Sequence, residues 1–101
     1  MLRSIKVLVA ALLTLPLLAF TPADIDAAKE AYGRGDHQTA IELLRGGADA
    51  GNAEAQYLLG MLYANGVGVA QSYASALENY MRAAGNGFAA AQTAIGHMYY
   101  S

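Results

Sequence analysis

Histidines and glycine-rich segments are the parts of this sequence whose residue types could support cofactor or metal chemistry. The only histidines are His37 and His97, and neither has further ligands at the spacing that metal sites use. The segment GVGVAQ, residues 66–71, partly matches a dinucleotide-binding loop, but it lacks the third glycine and follows a predicted helix. We therefore predict no metal site and no cofactor.

Catalytic motifs are not found in the sequence. It contains no Gly-x-Ser-x-Gly elbow and no Gly-Lys-Ser/Thr phosphate loop, and its carboxylates are scattered rather than paired. Arg34, Gly35 and Asp36 form the tripeptide that integrin ligands display. The same residues suit the end of one helix and the cap of the next, and we favour that interpretation over cell adhesion. We therefore predict a protein that is not an enzyme.

The first 23 residues have the order of a secretory signal. Arg3 and Lys6 precede the apolar run VLVAALLTLPLLAF, and small residues follow it. Cleavage after Ala23 fits best, cleavage after Ala19 is the alternative, and 14 apolar residues are too few for the roughly 20 of a spanning helix. We expect an exported, periplasmic or secreted chain with no stable membrane span after cleavage.

Composition limits the partners and the means of stabilisation. The formal charge of −2 would fall to −4 with the signal removed, so the domain offers no basic surface for nucleic acid. Cysteine is absent, so no disulfide can stabilise the exported chain. We therefore expect that the partners are proteins and that the fold is stabilised by packing alone.

An internal repeat with an offset of 36 residues organises the rest of the chain. Residues 40–65 and 76–101 share nine identities in 26 positions, and five of those are not alanine. Hydrophobic spacing within the repeat is helical, and it predicts helices over residues 22–32, 36–48, 53–64, 73–84 and 88–100. Asp36, Asn52 and Ser72 are the expected N-caps. Gly60 and Gly96 lie inside helices, where we expect them to admit a neighbouring helix.

The segment AEAQYLLGMLYANGVGVAQSYASALENYMRAAGNG, residues 53–87, resembles one unit of the Sel1-like repeats, relatives of the tetratricopeptide repeats. It has the family's Ala-Gln, Leu-Gly, Tyr, Gly-x-Gly-Val, Ala-Leu and Ala-Ala-x-x-Gly positions. Residues 24–52 resemble a degenerate unit and residues 88–101 an incomplete one. The resemblance implies an all-α fold, a short α-solenoid of antiparallel helix pairs over residues 24–101. Asn79 stands where the family has a large aromatic residue, which should weaken that pair.

The resemblance also implies a non-catalytic scaffold that assembles envelope, secretion or host-contact complexes. By analogy with tetratricopeptide packing, the first helix of each pair would line the partner-binding side. The residues this assigns are Glu54, Tyr57, Met61, Ala64 and Asn65, then Ala90, Thr93, His97, Tyr100 and Ser101. A second interpretation of Tyr57 is packing on a neighbouring helix.

Three further hypotheses concern the chain as a whole. Ile95, Met98 and Tyr99 lack a following helix in the sequence, so self-association through the last helix is expected. The chain could instead be a regulatory subunit of an exported enzyme. It could also be a fragment of a longer repeat protein.

Overall fold

The computed structural model describes residues 20–100, and within that range the fold is all-helical. All five predicted helices form, and each predicted end lies within one residue of the observed one. The helices are α1 (Pro22–Gly33), α2 (His37–Asp49), α3 (Ala53–Asn65), α4 (Tyr73–Gly85) and α5 (Ala89–Tyr100). None of these helices is long and apolar enough to cross a membrane. The predicted signal lies mostly outside the described residues, whereas Phe20 to Ala23 lie inside them.

Side-chain caps begin three of the helices, as the sequence predicts. The Asp36 carboxylate accepts from the Thr39 backbone N–H at 3.3 Å, and the Asn52 amide oxygen accepts from the Ala55 N–H at 2.8 Å. The Ser72 hydroxyl does the same for Ser75 at 3.1 Å. Each bond satisfies a backbone donor that the first turn would otherwise leave unpaired. The hydrogen bonds from Thr39 also lower the pKa of Asp36, because they stabilise its ionised form.

The connection from α3 to α4 folds back onto the protein. Gly66 ends α3 with φ of +67°, and Gly68 has φ of +73°, in the left-handed region that favours glycine. A Cβ on Gly68 would lie 2.6 Å from the Ile41 side chain, while Val67 and Val69 pack against the core. The GVGVAQ segment is therefore a tightly packed turn between two helices, as predicted.

Each helix packs mainly against its neighbours in sequence, and the buried side chains form two clusters. The first joins α1, α2 and α3 through Ile25, Ala28, Ile41, Leu44, Ala48, Ala55, Leu59 and Leu62. The second is smaller and joins α4 to α5 through Ala76, Tyr80, Ala83 and Ala91. Tyr57 and Tyr63 of α3 pack against this second cluster, so α3 contributes to both.

A buried polar network fixes the relative positions of α2, α3 and α4. Gln56 is 2% exposed; its Nε2 donates to the Ala48 carbonyl at 3.1 Å, and its Oε1 accepts from Asn86 Nδ2 at 3.0 Å. Arg82 donates to the same Ala48 carbonyl at 3.0 Å. The Gln56 side chain is therefore the centre of a hydrogen-bonded network, in which a buried amide is stabilising.

Glycines inside helices behave differently in the two copies of the repeat. A Cβ on Gly60 would lie 2.8 Å from the Tyr80 ring and 3.2 Å from the Ala76 carbonyl oxygen, so Gly60 admits α4 as predicted. A Cβ on Gly96 would meet no described atom within 4 Å, so no described helix occupies the place beside Gly96. A third glycine, Gly47, accommodates the Phe20 ring, with Ala55 Cβ only 2.7 Å from where a Cβ would stand.

Asn79 of α4 is buried, at the position where the resemblance to the repeat family predicts a large aromatic residue. Its Nδ2 donates to the Ser75 carbonyl at 2.9 Å, but its Oδ1 finds no hydrogen-bond partner among the described residues. An unsatisfied buried acceptor costs free energy, in agreement with the expected weakening of this helix pair.

Candidate functional site

Two grooves lie side by side between the first helices of the successive helix pairs, α1, α3 and α5. The first groove, of about 180 Å³, runs between α1 and α3 and is lined by Ala28, Lys29, Tyr32, Leu44, Leu58, Met61, Leu62, Asn65 and Val67. The second, of about 500 Å³, runs between α3 and α5 and is lined by Tyr57, Met61, Ala64, Asn65, Tyr80, Ala90, Thr93, Ala94, His97 and Met98. We call the surface that contains both grooves the groove face.

Met61 and Asn65 line both grooves and so form the ridge between them. They occupy positions i and i+4 of α3, which places them on the same side of the helix. Asn65 Nδ2 donates to the Met61 carbonyl at 3.0 Å, which holds the amide against the helix. Met61 is 36% exposed, so its flexible thioether is available to an approaching molecule.

The floor of the second groove is aromatic. The Tyr57 ring lies 5.7 Å from the Tyr80 ring and 5.0 Å from the Phe88 ring, centroid to centroid, in tilted arrangements that favour aromatic attraction. Burial raises the pKa of Tyr80, with a smaller contribution from Tyr57. Tyr57 is half-buried, so it packs on neighbouring helices while one part of it lines the groove.

An ion pair joins α1 to α3 at the edge of the first groove. Lys29 Nζ lies 2.9 Å from Glu54 Oε2, and this hydrogen bond and charge together raise the pKa of Lys29. Both side chains are substantially exposed, at 52% and 39%, so the pair contributes more to the orientation of the groove edge than to stability. The remaining lining is largely apolar and suits an apolar side chain of a protein ligand.

The structure brings together seven of the ten residues that sequence analysis assigned to partner binding. Tyr57, Met61, Asn65, Thr93 and His97 line the second groove, as do Ala64 and Ala90. Glu54 lies outside both grooves, in the ion pair. Tyr100 borders a separate hollow on α5, and Ser101 lies outside the described residues.

Sequence reasoning missed the contribution of α1 to the groove face. Lys29 and Tyr32 line the first groove, and Tyr32 is 49% exposed. No motif marks these residues, because α1 matches the internal repeat poorly. A large tyrosine next to a glycine-rich helix end was the only available signal.

Of the three residues expected to be uncovered on α5, only Tyr99 is strongly exposed, at 70%. Ile95 and Met98 are half-buried and pack against the cluster around Tyr80, so the expectation for these two is wrong. The open side of α5 is instead the side that carries Gly96 and Tyr100.

Residues 20–100 contain no group of three metal-ligating side chains close enough to hold an ion. Comparison of the chain with protein-family models, curated proteins and solved structures finds no match. The candidate functional site in residues 20–100 is therefore the groove face. The affiliation of the chain rests on the residues of the repeat alone.

Proposed function

We propose that this chain is a non-catalytic, exported repeat scaffold that binds another protein through the groove face. It would be a short α-solenoid of Sel1-like, tetratricopeptide-like units, with residues 24–52, 53–87 and 88–101 as successive units after a signal of 23 residues. Packing of each helix on its sequence neighbours supports the solenoid, because stacked units bury their apolar faces only on adjacent units.

The observation that carries the proposal is that seven predicted contact residues line one groove. They come from two helices, α3 and α5, whose equivalent positions are 36 residues apart in the sequence, yet they line a single groove of about 500 Å³. Tyrosine, methionine and asparagine are side chains that protein-binding surfaces use, the tyrosine as a rigid anchor and the methionine as an adaptable contact. An α-helix or an extended segment with apolar side chains at intervals would suit two grooves separated by one ridge.

Site-specific photo-crosslinking tests this proposal, with two methionines as a matched pair. Met61 is on the ridge of the groove face, whereas Met81 is 57% exposed on α4 and lines neither groove. A photoreactive residue placed at position 61 in the producing cell should cross-link a discrete protein, and the same residue at position 81 should not. Equal cross-linking at both positions, or none at position 61, would overturn the proposal. Fractionation of the same cells tests export.

A further inference from the structure

A second surface, separate from the groove ridge, lies on the open side of α5. Thr93, Gly96, His97 and Tyr100 border a shallow hollow of about 350 Å³. Their spacing of three, one and three residues places all four on one stripe of the helix. A Cβ on Gly96 would have no described atom within 4 Å, and Tyr100 is 93% exposed, so no described helix fills the hollow.

The equivalent stripe of α3 shows what such a surface accommodates. Gly60 stands 36 residues before Gly96, and there the Tyr80 ring of α4 occupies the space that a side chain would need. Tyr57 and Ala64 of the same stripe pack against the cluster around Tyr80. In α3 this stripe therefore packs against another helix, which contributes an aromatic ring.

The distribution of charge indicates which helix could pack against the stripe on α5. After Arg82 the sequence contains no Lys, Arg, Asp or Glu, and the titratable side chains of the stripe are His97 and Tyr100. Two copies of α5 can therefore approach each other with no charged lysine, arginine or carboxylate to desolvate and no like charges of that kind to bring together. A strongly charged partner helix would gain no complementary charge there.

The order of side-chain sizes along the stripe indicates how two copies of α5 would align. The stripe has small side chains at its N-terminal half, Thr93 and Gly96, and large ones at its C-terminal half, His97 and Tyr100, so it complements itself when a second copy runs antiparallel. With the two-fold axis between positions 96 and 97, Gly96 of one copy faces His97 of the other, and Thr93 faces Tyr100. We propose that two copies of this chain associate through the Gly96 stripe of α5, packed antiparallel in this register. This interaction goes beyond partner binding. Because Thr93 and His97 also line the second groove, the second copy and the proposed partner would share part of the groove face.

Disulfide cross-linking of the purified full chain tests both the association and its register. The natural sequence has no cysteine, so each introduced thiol is unique. His97→Cys stands beside the two-fold axis and should give a covalent dimer under mild oxidation. Thr93→Cys alone should not, because the two thiols would be about 10 Å apart along the helix axis. Adding Tyr100→Cys to Thr93→Cys should restore the cross-link.

Met81→Cys is the matched control, because it is exposed on α4 and away from the stripe. Cross-linking from position 81 as efficient as from position 97 would indicate non-specific aggregation and would overturn the proposal. So would a single Thr93→Cys variant that cross-links as well as the double variant. Either result would leave photo-crosslinking from position 61 unaffected, so failure here is distinguishable from failure of the proposed function.

A variant that fills the hollow gives an independent measurement without a covalent bond. Gly96→Leu has room within its own chain, so helicity by circular dichroism should be retained. Because its side chain would occupy the place of the facing residue, the dissociation constant measured by sedimentation should rise about tenfold or more. An unchanged dissociation constant in a folded Gly96→Leu variant would contradict the proposal.

Discussion

Helices α3 and α5 carry the same residue pattern 36 positions apart, but their surroundings differ. In α3 the shared glutamine, glycine and tyrosine meet α4, and Gln56 and Gly60 are buried. In α5 the equivalent Gln92 is exposed, and a Cβ added to Gly96 would meet no described atom within 4 Å. The difference teaches that the repeat motif specifies a surface for packing, whereas burial depends on whether a neighbouring helix is present.

The largest expected contrast is between equivalent apolar residues. Leu59 is 5% exposed, and Leu59→Ala should reduce the free energy of unfolding by about 3 kcal/mol through lost burial and a cavity. Ile95 is only half-buried, so Ile95→Ala should cost about 1 kcal/mol. Urea denaturation at low protein concentration measures both. Equal losses would mean that α5 is as well packed as α3.

The next contrast concerns the two glutamines. Gln56→Ala should cost about 2 kcal/mol, because it removes two hydrogen bonds and leaves Asn86 without its acceptor. Gln92→Ala should change stability by less than about 0.5 kcal/mol, as surface substitutions usually do. The same denaturation experiment compares them. A large loss for the Gln92 variant would show that its side chain has a buried role in solution.

The two helix glycines should respond with opposite signs. Gly60→Ala should be destabilising by about 1 kcal/mol, because the clash with Tyr80 outweighs the gain in helix propensity. Gly96→Ala meets no such contact and should stabilise the protein by about 0.5–1 kcal/mol. Thermal melts at low protein concentration give the sign directly. Stabilisation by both substitutions would show that the space beside Gly60 can relax.

The smallest expected effect is a pH dependence to which Tyr80 of α4 contributes, alongside the raised pKa of Lys29 on α1. The raised pKa of Tyr80 favours its neutral form in the folded state. The resulting stability is present below the unfolded value of about 10 and is lost as the pH rises through the higher folded value. Tyr80→Phe should therefore make the free energy of unfolding fall less steeply as the pH rises. Measurements between about pH 9 and about pH 11, roughly one unit on each side of the unfolded pKa, test this.

Tyr99→Phe is the matched control for this measurement, because Tyr99 is 70% exposed on α5. The decline in stability should remain in that variant. If the Tyr80 and Tyr99 variants behave alike, the decline has another origin and Tyr80 is not the group responsible.

Local chemistry explains which features the sequence could predict. The caps at Asp36, Asn52 and Ser72 depend only on a side-chain oxygen and the backbone N–H three residues later, so they could be read along the chain. Helix ends follow similar local rules. The five helices were therefore predictable to within one residue at each end.

Features that depend on distant helices were less accessible. Gly60 and Gly96 have the same local sequence, but only one has a tyrosine beside it. The first groove needs α1 and α3 to lie side by side, and neither spacing nor composition gives that placement. The second groove was partly predictable, because the repeat aligns equivalent faces of α3 and α5.

The contact between Phe20 and Gly47 has a consequence for the maturation of an exported chain. Cleavage after Ala23 would remove Phe20, the Thr21 N–H that donates to Asp24 at 2.9 Å, and the first residues of α1. Cleavage after Ala19 would retain them all. The two products would differ by about 1–3 kcal/mol from the aromatic ring alone. If an exported chain is cleaved here, the position of that cleavage would therefore change the stability of the folded product, and mass spectrometry of the N-terminus would distinguish the two products.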